Sequence, residues 1–179
     1  MMLCLLGCFI GRKDSVEIIV LGIDHSLQMG DLGLESLILT IIERHNITLI
    51  AEENRGLLNT IGKRISDSKN LRWVQIDMST EERITAGIYD KLAIRMQIRG
   101  YDADGVPIPA IRYAPVEDGI REEHWLRRIE ETANAGTTLV ICGCLHCVPL
   151  SAKGEKRGHQ ILARIFYPEN LSMLKPELY

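Results

Sequence analysis

The stretch VEIIVLG, from Val16 to Gly22, is a continuous run of apolar and β-branched residues that ends at a glycine. Such a run predicts a strand buried on both faces, as in a parallel sheet. Apolar residues at helical spacing follow from Leu34 to His45, and a second apolar run extends from Ile47 to Ala51. This order predicts a βαβ unit with two parallel strands and a right-handed crossover.

The rest of the chain continues the alternation of strands and helices. Further strands are predicted at Leu71–Ile76, Thr137–Cys142 and Ile161–Tyr167. Helices are predicted within 54–70, from Thr80 to Arg99, from Glu117 to Ala135 and within 148–158. Ser79 and Glu82 form the capping-box pattern that starts the second of these helices.

The chain as a whole, residues 1–179, is predicted to be a single α/β domain with a mainly parallel central sheet flanked by helices. Residues 1–15 are predicted to form an N-terminal arm or an edge strand. The segment 101–116 contains three prolines, which predicts a long surface loop of the kind that often carries function.

Composition excludes several classes of protein. The 179 residues are 46% apolar and 25% charged, as in ordinary soluble proteins. A net charge of -3 lacks the basic excess of nucleic-acid-binding proteins, and no stretch has the length of a membrane-spanning helix. Five cysteines, an odd number, favour a reducing cytoplasm. We expect a small-molecule or peptide substrate, no nucleic acid and no membrane, and leave a homo-oligomer open.

Polar residues follow three of the predicted strands. Two motifs of the form Gly-x-x-His, Gly22–His25 and Gly143–His146, each come directly after a strand, and Glu52–Glu53 follows another. The carboxyl ends of parallel strands share one edge of the sheet, so these groups should meet there. Each glycine is expected to let the backbone turn sharply.

Two imidazoles and a carboxylate can activate water in two ways. They can bind a divalent metal that acidifies water, or they can act without metal as a base and its orienting partners. Neighbouring strand residues face opposite sides, so one glutamate faces the histidines. We choose Glu53, and we expect Glu52 to orient it or to meet Arg121.

The order and spacing of these motifs resemble the TraB/Tiki-like superfamily, which includes erythromycin esterases and ChaN-like haem-binding proteins. The resemblance covers Ile18 to Pro149. His25 and His146 match the two histidines of the family, Glu52 and Glu53 match its glutamate pair, and Arg121 matches its arginine. This chain is short and carries cysteines beside its second motif.

The resemblance implies a hydrolase that cleaves an ester or an amide, including a peptide bond. In Tiki-like members a metal takes part, which implies Mn, Co or Zn held here by His25, Glu53 and His146. Erythromycin-esterase-like members use a histidine base instead. Glu52, Glu53 and Arg121 are the implied catalytic residues.

Three residues near the motifs have two interpretations each. Asp24 either caps a turn or supports the site. Gln28 either binds substrate or closes a turn. Asp77 is either a further ligand or a turn residue before Ser79. The other charged residues of 121–131 are predicted to form a solvated face.

Two rival functions remain. One is a non-catalytic protein that binds or senses a small molecule or haem on the same fold. The other is a phosphate-site enzyme that uses Arg121 and Lys153. The run Cys-Gly-Cys-Leu-His-Cys at 142–147 has no distant cysteine pair to complete a zinc or iron-sulfur centre, and Cys142 is predicted to be a small buried residue.

Overall fold

The computed structural model describes residues 16–54, 57–88, 97–101, 107–110, 115–133 and 136–166. The predicted arm at 1–15 lies outside the described residues. The strands are β1 (Glu17–Ile23), β2 (Ile47–Glu52), β3 (Arg72–Gln75), β4 (Gln97–Tyr101), β5 (Pro107–Ala110), β6 (Thr137–Gly143) and β7 (Gln160–Ile165). The helices are α1 (Leu32–Arg44), α2 (Ile61–Lys69), α3 (Thr80–Thr85), α4 (Pro115–Thr132), α5 (Cys144–Lys156) and a 3₁₀ helix at His25–Met29.

Five strands form a parallel sheet in the order β3-β2-β6-β1-β7. The predicted α/β fold with a mainly parallel sheet is therefore confirmed. The strand β6 lies between β1 and β2, with Gly22 opposite Cys142 and Ile23 opposite Gly143. Both Gly-x-x-His motifs thus begin at the carboxyl ends of neighbouring strands, side by side at one edge of the sheet.

Helices cover both faces of this sheet because the side chains of each strand alternate in direction. On β1, Ile19 and Leu21 pack with residues of α1 and α2, whereas Ile18 and Val20 pack with residues of α4 and α5. Each such fully buried side chain contributes roughly 1.5–3 kcal/mol. Among the described helices, none is long and apolar enough to cross a membrane.

The predicted helix from Thr80 to Arg99 is wrong as one continuous helix, and its residues 89–96 lie outside the described residues. The capping box of Ser79 and Glu82 forms as predicted, but α3 ends at Thr85. The chain then reaches Gly87, whose φ of +72° is a left-handed conformation that helical residues do not adopt. Residues 97–99 belong to β4 instead.

The segment predicted as a loop, 101–116, is regular wherever the structure describes it. Tyr101 ends β4, and β5 pairs with β4 as an antiparallel two-stranded sheet. Prolines at 107 and 109 are compatible with β5 because its second edge has no strand partner in the described sheet. The helix α4 already begins at Pro115, since proline suits the first helical position.

Two glycines with positive φ provide a matched test of this fold. Gly136, with φ +113°, precedes β6, and a Cβ there would lie 2.8 Å from Oγ1 of Thr48 and 3.1 Å from the carbonyl oxygen of Asn46. Gly87 has open space within 4 Å. We expect Gly87→Ala to cost about 1 kcal/mol, from backbone strain alone. Gly136→Ala should cost about 2 kcal/mol more, because the added Cβ also clashes with the side chain of Thr48 and lies tightly against the carbonyl oxygen of Asn46. Urea denaturation of both variants measures the difference, and equal losses would contradict the close approach at Gly136.

Candidate functional site

The two Gly-x-x-His motifs contact each other, and each glycine makes room for the other motif. A Cβ on Gly143 would lie 2.7 Å from Nε2 of His25, and a Cβ on Gly22 would lie 2.9 Å from Cβ of Cys147. The expected sharp turn is not the reason for glycine at 143, whose φ of −57° and ψ of 140° are open to any residue. Close packing between the motifs requires it.

Glu53 is the centre of the site and is fully buried. Its Oε2 accepts a hydrogen bond from the backbone N–H of Gly143 at 2.8 Å and lies 3.4 Å from Nε2 of His25. Its Oε1 accepts from Arg121 at 2.6 Å and lies 3.9 Å from Nε2 of His146. Burial alone would raise the pKa of Glu53, but the hydrogen bond that it accepts from the protonated ring of His25 and the charge of Arg121 outweigh it and hold that pKa well below its ordinary value.

Arg121 joins α4 to the ends of β2 and β3. Its guanidinium is 1% exposed, and it donates to Glu53, to Asp77 at 3.0 Å and to Asp118 at 3.1 Å. Burial works against its charge, yet Glu53 and Asp77 outweigh that effect and raise the pKa of Arg121. The arginine therefore holds a carboxylate.

Asp77 accepts hydrogen bonds from several separate elements and is more than a turn residue. Besides Arg121, it accepts hydrogen bonds from Arg83 at 2.6 Å and from the indole N–H of Trp125 at 3.2 Å. It also accepts from the backbone N–H of Met78, as the turn interpretation expects. Asp77 makes no described contact with either motif histidine, so it supports the site through Arg121.

His146 lies in the buried half of the site. Its Nδ1 is 2.9 Å from Oε1 of Glu122, whose second oxygen is 3.5 Å from Nζ of Lys153. Its Nε2 is 3.4 Å from Nη1 of Arg121, and its ring meets Trp125 edge-on at 4.8 Å. A carboxylate accepts from Nδ1–H, which leaves Nε2 as the acceptor facing the guanidinium.

His25 is the accessible member of the site, with 41% of its side chain exposed. Its Nδ1 lies 2.9 Å from Oε1 of Gln28. The amide of Gln28 donates to the carbonyl oxygen of Glu53 at 2.6 Å and to Glu52 at 3.4 Å. Because those two acceptors fix the amide orientation, Oε1 must accept from Nδ1–H, and the neutral ring then carries its lone pair on Nε2. Gln28 thus orients the imidazole.

Glu52 faces the opposite side of the sheet from Glu53, as the alternation predicts. It accepts hydrogen bonds from Thr60 at 2.6 Å, from the indole of Trp73 at 2.9 Å and from Gln28. The expectation that Glu52 meets Arg121 is wrong, because a strand places consecutive side chains on opposite faces. Burial raises the pKa of Glu52 in spite of these hydrogen bonds.

Asp24 has the capping role. Its side chain accepts from the backbone N–H of Ser26 at 2.8 Å as the N-cap of the 3₁₀ helix. That hydrogen bond lowers the pKa of Asp24. The carboxylate is exposed, so it fixes the turn that presents His25 rather than the reacting groups.

A metal held jointly by His25, Glu53 and His146 does not fit this arrangement. Both Oε1 of Glu53 and Nε2 of His146 face the guanidinium of Arg121, and this cation fills the space between them. Among the described residues, no group of three His, Cys, Asp or Glu side chains is arranged to hold a metal ion.

Sequence reasoning missed two partners of the site on α4. Glu122, assigned to a solvated face, is 0% exposed and pairs with His146; Asp118 is also buried and pairs with Arg121. The i,i+3 spacing of Asp118 and Arg121 was a usable signal. The burial of Glu122 could not be predicted from the sequence, because the exposed and buried faces of α4 both carry charged residues. Cys142 is fully buried, as predicted.

Comparison with protein-family models, with curated proteins and with solved structures found no match to this chain. The resemblance to the TraB/Tiki-like superfamily is carried only by the motif residues.

The adjacent glutamates are expected to respond oppositely when each is replaced by glutamine. The pKa of Glu53 lies below its ordinary 4.5, so its stabilisation is present above pH 4.5 and is lost as the pH falls below that value. The pKa of Glu52 is raised, so its contribution is present below pH 4.5 and is lost as the pH rises through its folded-state pKa.

At neutral pH we therefore expect Glu53→Gln to lower the free energy of unfolding by about 3–5 kcal/mol, because it leaves Arg121 buried without its closest partner. Glu52→Gln should change it by less than about 1 kcal/mol or increase it, because a neutral amide is cheaper to bury than a carboxylate. Urea denaturation between pH 4 and 8 tests both. A larger loss for Glu52→Gln than for Glu53→Gln at pH 7 would show that the charged network is not centred on Glu53.

Proposed function

We propose that the chain is a hydrolase in which His25 and Glu53 activate water for attack on an ester or amide carbonyl. The observation that carries the proposal is the pairing of an exposed imidazole with a buried carboxylate, with Nε2 and Oε2 3.4 Å apart.

The pairing favours uptake of a proton by His25. With Nδ1–H directed to Gln28, the lone pair of Nε2 faces an oxygen of an ionised carboxylate, and two acceptors side by side repel each other. A proton placed on Nε2 turns that repulsion into a charge-assisted hydrogen bond. Glu53 thus stabilises the imidazolium that forms when a base removes a proton from water.

The reaction follows from these roles. Water donates a proton to Nε2 of His25 as its oxygen bonds to the carbonyl carbon, and the imidazolium then protonates the departing alcohol or amine. The products are a carboxylic acid and that alcohol or amine. We assign stabilisation of the developing oxyanion to the backbone N–H groups in the first turn of α5, because this turn begins beside Nε2 of His25 and has no side-chain cap at Gly143.

Arg121, Asp77 and His146 support this pair without reaching solvent. Arg121 keeps Glu53 ionised and holds its second oxygen, Asp77 fixes Arg121, and His146 lies 3.9 Å from that oxygen, so the carboxylate is fixed before substrate arrives. The motif resemblance also supports hydrolysis, and a histidine base is the mode it implies for the erythromycin-esterase-like members. The metal-dependent mode of Tiki-like members is the alternative to be tested.

An apolar substrate group fits the rim of the site. Most of the exposed large apolar side chains in the described residues lie in segments that start at this edge of the sheet: Met29, Leu32, Leu57, Leu58, Ile84, Val116, Ile120, Leu145 and Val148. Exposed apolar side chains in segments that begin beside a polar centre favour a ligand with apolar groups. Esters or peptides with apolar groups are therefore the preferred substrates.

The phosphate-site alternative has less support. Arg121 is saturated by three carboxylates and buried, and Lys153 lies beside Glu122. Neither cation is presented to an incoming anion. A non-catalytic protein that binds a small molecule or haem remains the alternative to hydrolysis.

The test is hydrolysis of 4-nitrophenyl hexanoate by the wild type and by His25→Ala. We expect kcat to fall by about 100-fold or more, because general-base catalysis contributes that much. His45→Ala is the matched control, since His45 ends α1 at the opposite edge of the sheet and its loss should change kcat by less than about twofold.

The assay is repeated with a chelator and with added Mn²⁺, Co²⁺ or Zn²⁺. Rates unchanged by either treatment support the metal-free pair, whereas loss with chelator and recovery with one ion would establish the metal-dependent mode. Unchanged hydrolysis in His25→Ala would reject His25 as the base. Absence of hydrolysis of esters and peptides by the wild type, together with saturable ligand binding, would favour the binding protein.

A further inference from the structure

Two cysteines at the start of α5 have no role in the proposed hydrolysis. Cys144 is the first residue of the helix and is partly exposed, whereas Cys147, one turn later, is buried. Together they form a Cys-x-x-Cys sequence directly after a parallel strand. In a βα unit this arrangement is typical of thiol–disulfide redox centres.

The close packing at Gly22 brings the two cysteines to the same side of α5. A Cβ placed on Gly22 would lie 2.9 Å from Cβ of Cys147 and 3.1 Å from Cα of Cys144. Both residues therefore lie at one point on β1, and helix geometry places residues three apart within the range of about 4.4–6.8 Å between the Cα atoms of bonded cysteines. A disulfide requires that the first turn of the helix tighten and that the thiol of Cys147 leave the carbonyl oxygens of Val20 and Arg164, which lie 3.9 Å and 3.4 Å from its sulfur.

We propose that Cys144 and Cys147 are a redox pair that forms a reversible intramolecular disulfide in exchange with low-molecular-weight disulfides. Cys144 is the residue that meets the external disulfide, because it is the accessible one. Cys147 is buried, so external disulfides do not reach its thiol, and it reacts only once the mixed disulfide lies beside it.

The exchange proceeds in two balanced steps. Cys144, as thiolate, attacks one sulfur of the external disulfide, and the S–S bond breaks to release one small thiolate, which takes up the proton that Cys144 lost. Cys147 then loses its proton and attacks the sulfur of Cys144, and the second small thiol leaves with that proton. The pair is oxidised by two electrons and the external disulfide is reduced to two thiols.

Oxidation should also affect hydrolysis, a consequence that rests on the proposed function. In a helix, residues three apart have Cβ atoms about 5–6 Å apart, whereas a disulfide needs about 3.5–4.5 Å. The first turn that must tighten includes His146, and it follows Gly143, which holds Glu53 and contacts His25. The disulfide therefore displaces the site, and we expect the hydrolytic rate to fall severalfold.

The test begins with reduced, full-length protein that is exposed to oxidised glutathione, alkylated and digested with trypsin. The peptide 129–153 contains all three cysteines of the run, so variants identify the bond. In the wild type we expect this peptide to be lighter than its reduced form by the mass of two hydrogen atoms and to carry one alkylated cysteine. In Cys142→Ala we expect the same loss of mass and no alkylated cysteine. Cys144→Ser and Cys147→Ala should yield no such disulfide, and dithiothreitol should restore the alkylated forms.

Absence of this disulfide in the wild type, or its persistence in Cys144→Ser, would overturn the proposal. Cys144→Ser substitutes a partly exposed position, so it keeps the test decisive if Cys147→Ala does not fold. Ester hydrolysis is measured on the same samples. A disulfide that forms in a protein without hydrolase activity would leave the redox pair standing and reject the proposed function. Hydrolysis in a protein that forms no disulfide would reject the redox pair and leave the proposed function standing.

Discussion

The buried ion pair of Glu53 and Arg121 is the interaction on which the rest of the site depends. A carboxylate with no exposure to solvent is unfavourable unless it is paired and its hydrogen-bonding capacity is used. Arg121 and the N–H of Gly143 meet that requirement, and Asp77 in turn fixes Arg121. The network connects α4, β2, β3 and β6, so it orders the carboxyl edge of the sheet and holds an ionised oxygen next to an exposed imidazole.

A second constraint is steric. The strands β1 and β6 are neighbours, and the motif that follows each strand packs against the glycine of the other. His25 lies over Gly143, and the start of α5 lies over Gly22. A methyl group at either position would separate the motifs by displacing His25 or the first turn of α5. This mutual packing converts two sequence patterns that are 121 residues apart into a single site, and it also places Cys144 and Cys147 beside that site.

Much of this arrangement could be predicted from local sequence. Buried strand segments such as 18–23 are continuous apolar runs. The alternation of side chains along a strand separates Glu53 from Glu52 without any tertiary information. The capping box at Ser79 was equally local. What could not be predicted depends on contacts between distant residues. The pairing of Glu122 with His146 and the connection of Asp77 to Arg121 join separate elements, and the end of α3 depends on Gly87 rather than on helix propensity.

The position of the proton on neutral His25 is the most direct test of the water-activating pair. Two-bond ¹H–¹⁵N NMR spectra recorded near about pH 8, where an ordinary imidazole is mostly neutral, distinguish the two ring nitrogens. The proposed mechanism predicts a proton on Nδ1, bonded to Gln28, and a basic Nε2 beside Glu53. A neutral ring protonated on Nε2 would contradict it, because that nitrogen would then donate to Glu53 and could not accept a proton from water.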